Sequence, residues 1–376
     1  MALSTARGIL QICHGYDGPF LDCARQYARL FRDSPYQVVT VYLTGEPDER
    51  VVRGSASDEV IFLRFRSAEI RGLKLKAIRE VRRIAARRDF AFCIAHRFKP
   101  VYTALLGTNL PVIGVHHAFG DYRRLSRRAF AQTFKKRLRL LGVSEAVRDD
   151  LRVDLPSWPP SHIEALYNRV DVAALQAGLL SREEARAALD LPPEGWIVGN
   201  VGRLHPDKDQ ATLIRAFAAA LPALPAGSLL AIMGSGRLAR ELKSLAARQG
   251  IAASVRFLGQ VPDGRRYFSA FDVFALSSDR EPFGMVLLEA LAAGLPVVCS
   301  DCGGGREVVA GVGELFPFGD AAALAGALSR LAESGIPEDY AERAEKHLRM
   351  KFSDEASAEV YWKLPMIVEL TRGESC

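Results

Sequence analysis

A basic loop in the second half of the chain carries the first residues that could do chemistry. The loop runs from Gly202 to Asp209, and within it Arg203 and Lys208 stand five residues apart. An arginine offers a planar fork to phosphate oxygens and a lysine a mobile point charge, so the two side chains can converge on a diphosphate. Taken alone, the loop is equally well explained as a solvated basic turn.

Two glutamates bracket the predicted start of a helix further along the chain. Glu281 and Glu289 stand eight residues apart in EPFGMVLLE, directly after the apolar run VFALSS. Backbone N–H groups around Gly284 to Val286 would lack partners at a helix start and can receive an anion. The competing interpretations are a surface carboxylate for Glu289 and a favourable helix-dipole interaction for Glu281.

Glycines follow two other apolar runs. Gly234 and Gly236 lie in IMGSGR, and three glycines at 303–305 follow LPVVCSD. Because glycine lets a backbone approach a ligand closely, these turns are further binding candidates, although neither is specific by itself.

Apolar runs alternate with amphipathic stretches through both halves of the chain. Runs such as RGILQIC and YQVVTVYL are typical of strands, and the stretch from Ala68 to Arg88 repeats apolar residues near helical spacing. This alternation predicts parallel sheets covered by helices on both faces. Ligands of such sheets bind at the carboxyl ends of the strands, which is where the motifs of the second half fall.

Length and composition favour two folded domains. The 376 residues are 49% hydrophobic and 25% charged, and domains usually have about 100–200 residues. A proline-rich break at Leu155–His162 precedes the expected boundary near residues 170–180. No apolar run reaches the roughly 20 residues of a membrane span, and the start MALSTARGILQIC has the pattern of a first strand, not of a signal peptide. We therefore expect a cytoplasmic protein.

The six cysteines agree with a reducing compartment. Cys299 and Cys302 form a CxxC, but no second Cys/His pair lies near them in the sequence to complete a tetrahedral zinc site. We expect this pair to be reduced thiols at a strand end. The other four cysteines are scattered: Cys13, Cys23, Cys93 and Cys376.

The order of the motifs in the second half resembles a known family. GRLxxxKD, GSG, LGxV, ExFGxxxxE and GGxxE follow one another within residues 196–310, as in the family-4 retaining glycosyltransferases of the GT-B fold (glycosyl transferases group 1). The resemblance implies an α/β protein with two Rossmann-like doubly wound domains facing across a cleft. Residues 1–172 would bind the acceptor, 173–355 the nucleotide sugar, and 356–376 would form a helix crossing back to the first domain.

The resemblance also implies a role for each motif. Arg203 and Lys208 would hold the donor diphosphate, and Glu289 would accept hydrogen bonds from the donor ribose. Glu281 would act at the transferred sugar. The other donor-binding positions that the resemblance implies are Gly234, Gln260, Val261, Phe283, Gly284, Met285 and Val286.

The first half departs from the family pattern. The family usually carries a glycine pair after its first strand, whereas the glycines here are separated in HGYDG, so that Gly15 is the expected counterpart. The family also has a histidine at a strand end after a proline, and this chain offers His116 and His117 after LPVIGV. Counting from the proline favours His117, and we expect one of the pair to line the donor-sugar site.

The expected reaction transfers a hexose from a nucleotide sugar with retention of configuration. Cations and amides would stabilise the negative charge that develops on the departing diphosphate. UDP is the preferred donor nucleotide because uridine is the commonest base in such families. The sequence Asp207-Lys208-Asp209 has the Asp-x-Asp pattern of metal-dependent transferases, but a lysine already neutralises it, and we expect no metal or other cofactor.

The charge distribution predicts an anionic acceptor. Residues 1–170 carry 29 Lys+Arg against 17 Asp+Glu, whereas the remainder carries 21 against 27. Basic residues concentrate at 71–88 and 123–139, the second cluster with Phe130 and Phe134 at helical spacing. We expect the first domain to dock on the inner face of the cytoplasmic membrane and to take a lipid-linked glycan such as a lipopolysaccharide core. The alternative is a solvated basic face.

Other functions remain open on the same scaffold. These are a UDP-sugar epimerase, a sugar phosphorylase, and a non-catalytic protein that binds a nucleotide sugar or glycan. Nucleic-acid binding is disfavoured because no recognition motif accompanies the basic clusters.

Overall fold

The computed structural model describes residues 7–371, so the expectations for the first six residues, for Cys376 and for the end of the last helix lie outside it. The chain forms two compact units. The first extends to Asn168 and includes the segment from Asp354 onwards, and the second is Arg169–Ser353. The expected divisions were after residues 172 and 355. Each unit contains a parallel sheet between helices.

The first unit is built on a sheet of seven parallel strands in the order β3-β2-β1-β4-β5-β6-β7. The order reverses between β1 and β4, which is the doubly wound arrangement that the sequence predicted. The strands are β1 (Gly8–Cys13), β2 (Gln37–Tyr42), β3 (Glu59–Phe62), β4 (Phe90–His96), β5 (Val112–His116), β6 (Leu138–Gly142) and β7 (Ile163–Ala165).

Helices connect these strands. The central strands β1, β4 and β5 are almost wholly buried, which explains their nearly continuous apolar sequences. The helices are α1 (Phe20–Arg29), α2 (Glu49–Gly54), α3 (Leu75–Ala85), α4 (Phe98–Gly107), α5 (Leu125–Thr133) and α6 (Glu145–Asp154). In α3 the buried residues Ala77, Ile78, Val81 and Ile84 recur at helical spacing.

The second unit repeats the plan with six parallel strands in the order β10-β9-β8-β11-β12-β13. Here the order reverses between β8 and β11. The strands are β8 (Ile197–Val201), β9 (Leu229–Met233), β10 (Val255–Gly259), β11 (Val273–Leu276), β12 (Val297–Ser300) and β13 (Glu314–Phe316).

The second unit contains eight α-helices among the described residues. Two further α-helices follow them and belong to the first unit. The former are α7 (Val172–Gly178), α8 (Arg182–Ala188), α9 (Gln210–Ala220), α10 (Ala239–Arg248), α11 (Met285–Ala292), α12 (Gly303–Val309), α13 (Ala321–Ser334) and α14 (Tyr340–Lys351). The latter are α15 (Asp354–Lys363) and α16 (Pro365–Thr371). Among residues 7–371, no helix has both the length and the apolar character of a membrane span.

The structure corrects the expected basic cluster at 123–139. The last residues of this cluster belong to strand β6. Arg139 is therefore buried, and it forms an ion pair with both carboxylate oxygens of Glu369. Arg137 donates to the carbonyls of Thr108 and Leu110, and Arg128 pairs with Asp154. These cations stabilise the fold and are not part of an open basic face.

Two other expectations need correction. The helix expected over Ala68 to Arg88 is confined to α3, because Lys74 has a left-handed backbone (φ 54°) that cannot continue a helix upstream. The glycine turn at 303–305 is the first turn of α12.

Gly199, inside β8, gives a direct test of the packing in the second unit. A Cβ at this position would lie 2.2 Å from the ring of Phe271, so we expect Gly199→Ala to lower the free energy of unfolding by about 1–3 kcal/mol. Gly178→Ala is the matched control, since a Cβ at this exposed end of α7 meets nothing within 4 Å. Calorimetry should show a lower unfolding temperature for Gly199→Ala only. Equal temperatures for the two variants would contradict the packing described.

Candidate functional site

The loops after β8 and β11 meet at the reversal point of the second sheet. Ser277 Oγ donates to the carbonyls of Lys208 and Asp209 at 3.1 and 2.9 Å. The amide of Asp279 donates to the carbonyl of Asp207 at 3.0 Å. These bonds hold together the two segments that carry the predicted Lys208 and Glu281, at the place where doubly wound sheets bind ligands.

Lys208 and Glu281 form an ion pair. The Nζ of Lys208 lies 2.5 Å from Oε2 of Glu281, and the two side chains are only 17% and 9% exposed. Ser278 Oγ donates to the same carboxylate oxygen at 3.2 Å. Both charged groups are therefore largely buried at the sheet edge, where each neutralises the other.

Arg203 lies in the same loop but extends into solvent. Its side chain is 72% exposed, and its guanidinium donates to Asp207 at 3.3 Å. The structure thus leaves Arg203 accessible to an anion, whereas it does not bring Arg203 into the pair formed by Lys208 and Glu281.

The Asp-x-Asp pattern has structural partners. Asp207 interacts with Nδ1 of His205 at 2.5 Å as well as with Arg203. Asp209 caps α9 by accepting bonds from the amide and hydroxyl of Thr212 at 3.3 and 2.6 Å. Within residues 7–371, no group of three or more His, Cys, Asp or Glu side chains could hold a metal ion.

The glycines of the second unit let its loops pack on one another. A Cβ at Gly234, which has φ +142°, would lie 1.9 Å from the carbonyl oxygen of Gly202. A Cβ at Gly303 would lie 2.3 Å from the carbonyl of Glu281, and the amide of Gly304 donates to that carbonyl at 2.8 Å. Close backbone approach between loops, and not only approach to a ligand, therefore requires glycine here.

Helix α11 begins where the sequence predicted. Gly284 precedes it with φ +96°, and Phe283 is buried against the ring of Phe352 at 5.8 Å. Met285 and Val286 form its partly buried first turn, so their amides belong to the unpaired N-terminal set. The partly buried Glu289 follows one turn later.

The remaining predicted positions of the second unit follow β10 and β12. Gln260 is exposed and Val261 partly buried directly after β10. Cys299 and Cys302 are free thiols, as expected for a reduced pair, and burial raises the pKa of both. Cys302 donates to the carbonyl of Ser278 at 2.9 Å, which supports the loop beneath Glu281.

The two predicted histidines of the first unit have different surroundings. His116 is fully buried; its Nδ1 donates to Asp121 at 2.6 Å and its Nε2 accepts from the Tyr122 hydroxyl at 3.4 Å. His117, one residue beyond β5, is partly exposed. His116 is thus enclosed by partners of its own loop, and His117 is the member of the pair that reaches the surface.

Hydrogen bonds determine the tautomer of His117. The Gln11 amide nitrogen donates to the carbonyl of Ala24, so its Oε1 accepts from Nε2 of His96 at 3.4 Å. The Nδ1 of His96 must then accept from Nε2 of His117, 3.2 Å away. His117 therefore carries its proton on Nε2, and its Nδ1 faces the thiol of Cys23 at 3.8 Å.

Burial, with His116 and Arg97 nearby, lowers the pKa of His117 to about 3.

Arg97, after β4, is a residue that the sequence analysis missed. Its backbone has φ 74° and ψ 165°, a region occupied almost only by glycine that costs on the order of 1–3 kcal/mol for other residues. The amide of Arg97 donates to the carbonyl of Val115 at 2.8 Å, which holds this conformation. The two cations of the sequence RFK, directly after a strand, were the available signal. Gly15 is buried after β1, where a Cβ would lie 2.7 Å from Oγ1 of Thr44.

Each half of the chain matches a known family. Residues 181–347 match the family described as Glycosyl transferases group 1. Residues 23–174 match the family described as Glycosyltransferase Family 4. Together the two matches extend over most of both units.

Curated proteins match over part of their length. The lipopolysaccharide core biosynthesis glycosyltransferase LpsE of Rhizobium meliloti is 36% identical over 182 residues, which are 48% of this chain and 52% of LpsE. A D-inositol 3-phosphate glycosyltransferase of Rhodococcus opacus is 36% identical over 52% of this chain and 48% of its own length. The chain thus spans about half the length of the curated relatives it matches.

Solved structures share the fold over nearly the whole chain. A glycosyltransferase from Rickettsia africae superposes with a TM-score of 0.82 over 98% of this chain and 100% of its own, at 16% identity. Anabaena Alr3699/HepE in complex with UDP-glucose gives a TM-score of 0.76 over 97% and 99%, at 19% identity. These likenesses show the fold.

His117 should remain neutral in mild acid. Because its folded pKa is lowered to about 3 and an unfolded histidine titrates near 6.5, the unfolded state binds more protons between these values. Acidification from pH 7 to 4 should therefore lower the free energy of unfolding through this group. Nitrogen NMR at pH 5 should show the His117 ring neutral with its proton on Nε2. A protonated ring at that pH would contradict the hydrogen-bond chain.

Proposed function

The chain belongs to the glycosyltransferases of group 1 and family 4, and we propose that it transfers a hexose from a nucleotide sugar to an acceptor with retention of configuration. The family resemblance predicted from the sequence motifs is thus confirmed. The observation that carries the proposal is the pairing of Lys208 with Glu281 beside the start of α11, at the reversal point of the second sheet.

The second unit would bind the donor. Lys208 and the accessible Arg203 would supply positive charge to a diphosphate, and the backbone amides from Phe283 to Val286 would add hydrogen-bond donors. Negative charge develops on the diphosphate as its bond to the sugar breaks. Groups that are fixed before the reaction stabilise this charge without having to reorganise. Glu281 holds the ammonium of Lys208 in position through a hydrogen bond.

Glu289 and the segment after β10 would bind the nucleoside. A carboxylate accepts hydrogen bonds from the two ribose hydroxyls, and we assign this role to Glu289. Backbone groups of Gln260 and Val261 would bind the base. We prefer UDP because of the frequency of uridine donors and because the structural relative Alr3699/HepE was solved with UDP-glucose.

Glu281 and His117 are the groups proposed to act at the transferred sugar. Since His117 is a poor base with a pKa of about 3 and its Nε2 proton is donated to His96, it would line the sugar site as a neutral imidazole and not as a proton acceptor. His116 would support the loop through Asp121.

The first unit would bind a lipid-linked glycan acceptor at an anionic membrane. Three large apolar side chains are exposed near cations: Leu73 and Leu75 around the start of α3, and Leu125 at the start of α5. Lys74 lies over the Tyr102 ring at 4.3 Å, and that ring stacks on Phe130 at 4.8 Å. The contacts join α3 to α5 through α4, so that the exposed leucines flank one surface.

The cations of this surface complement an anionic lipid. Arg71, Arg123 and Arg124 are exposed beside the leucines, and each basic residue near an anionic membrane contributes about 1 kcal/mol. The match to LpsE, a lipopolysaccharide core biosynthesis enzyme, supports a lipopolysaccharide core as the acceptor. We therefore propose the inner face of the cytoplasmic membrane as the site of action.

Removing Lys208 or Glu289 should impair donor use in a protein that still folds, and Lys208→Ala should also lower the free energy of unfolding because it leaves the Glu281 carboxylate unpaired. We expect Lys208→Ala to lower the rate of donor hydrolysis and transfer by about 10²–10³-fold, as for loss of an oxyanion-stabilising donor. Glu289→Ala should weaken donor binding by roughly 10–100-fold, through loss of charge-assisted hydrogen bonds. Lys346→Ala, an exposed lysine of α14, is the control and should behave as wild type. Wild-type kinetics in both site variants would refute the donor assignment.

Membrane docking can be tested by flotation with vesicles. Leu125 and Val153 are 78% and 77% exposed, but only Leu125 lies on the proposed surface. Leu125→Ser should reduce recovery on anionic vesicles, with about a tenfold weaker partition from the lost apolar contact, whereas Val153→Ser should leave recovery unchanged. Equal recovery of the wild type on neutral and anionic vesicles at low salt would remove the membrane proposal.

A further inference from the structure

A cavity of about 170 Å³ opens at the carboxyl edge of the first sheet, beside β1, β4 and β5. Since one water molecule occupies about 30 Å³ of liquid, the cavity has room for a small polyatomic group. Its walls are His14, Arg97, Phe98, Lys99, Pro100, Asp121 and Arg127.

The charges around the cavity are unbalanced. Arg97, Lys99 and Arg127 are cationic, and Asp121 is the single carboxylate of the lining. Asp121 is already engaged, because it accepts from Nδ1 of His116 at 2.6 Å and from Arg127 at 3.1 Å. The lining therefore retains an excess of positive charge.

The cations repel one another. Burial, then Arg71 and Arg97, lower the pKa of Lys99. Burial, then Lys99 and Arg127, lower the pKa of Lys74 at the cavity's side. An anion placed among these groups would relieve the repulsion.

The backbone at Arg97 is held in the glycine-like conformation described above, and its guanidinium lies over the Phe20 ring at 4.9 Å. A glycine would adopt this backbone without strain, yet the chain has an arginine there. Backbone strain that is retained at a ligand-binding position is a recurrent feature of functional sites. The cavity is also lined by the first residues of α4, so the positive end of that helix dipole faces it.

We propose that this cavity binds a phosphoryl group of the acceptor, through Arg97, Lys99 and Arg127. That the phosphoryl group belongs to the acceptor rests on the proposed function. Two guanidinium forks and an ammonium match the several oxygens and the double charge of a phosphate monoester. A neutral sugar would leave the excess positive charge of the lining uncompensated.

Calorimetric titration with glucose 6-phosphate tests the binding directly. The titration uses the full chain carrying Lys208→Ala, so that the proposed diphosphate site does not contribute. Glucose 6-phosphate should bind and glucose should not. Adding Lys99→Met should weaken binding at least tenfold, whereas adding Arg87→Met, which removes an exposed cation of the same unit outside the cavity lining, should leave it unchanged.

Arg97→Gly separates ligand binding from a structural role. Glycine suits the backbone at this position, so the variant should unfold at the same or a higher temperature than the parent. It should nevertheless lose at least tenfold in affinity for glucose 6-phosphate. Undiminished affinity would assign Arg97 a purely structural role and overturn the proposal.

Vesicles distinguish a soluble phosphate from a lipid-borne one. Phosphatidylcholine vesicles are doped with phosphatidic acid or, at matched charge, with oleic acid. Recovery on phosphatidic acid that depends on Lys99, without glucose 6-phosphate binding, identifies a lipid-borne phosphate. Lys99-dependent binding of glucose 6-phosphate identifies a soluble one. Independence from Lys99 in both experiments overturns the inference. A separate UDP titration of the wild type reports on the donor site. Failure of the donor-site proposal can therefore be distinguished from failure of the phosphoryl-site proposal.

Discussion

The ion pair of Lys208 and Glu281 depends on a constraint of the second sheet. β8 and β11 are neighbours in the sheet, although the paired residues lie 73 positions apart in sequence. Because the strand order reverses there, the helices after these strands pack on opposite faces and leave their first loops side by side. Two charges that would be unfavourable when buried singly can therefore be buried together. The pair keeps the ammonium in place before any ligand arrives.

Close packing of the loops makes this arrangement rigid. The loop after β9 approaches the loop after β8 through Gly234, and the start of α12 lies under the Glu281 loop through Gly303. A side chain at either glycine would overlap a carbonyl oxygen. The same glycines that the sequence suggested for ligand contact thus serve the geometry of the ion pair, which is the form of preorganisation that transfer chemistry needs.

The sequence predicted most of the fold because its signals are local. Continuous apolar runs revealed β1 and β2, and the spacing in EPFGMVLLE revealed the start of α11. β6 was missed because Arg139 lies within it, and the carboxylate that pairs with this buried arginine, Glu369, is distant in the sequence. Arg97 and His96 were missed because their significance lies in a positive φ and in a hydrogen-bond chain to Gln11 and His117. These features depend on contacts between strands, and no pattern of residue spacing in the sequence marks them.

A crystal structure of the protein soaked in turn with UDP, GDP and ADP tests the central assignment most directly. We predict that one of these nucleotides binds to the second unit with its diphosphate within hydrogen-bonding distance of Lys208 Nζ and of the amides that begin α11. A nucleotide whose diphosphate lies away from Lys208, or a second unit that remains empty at millimolar concentrations of all three, would contradict the account.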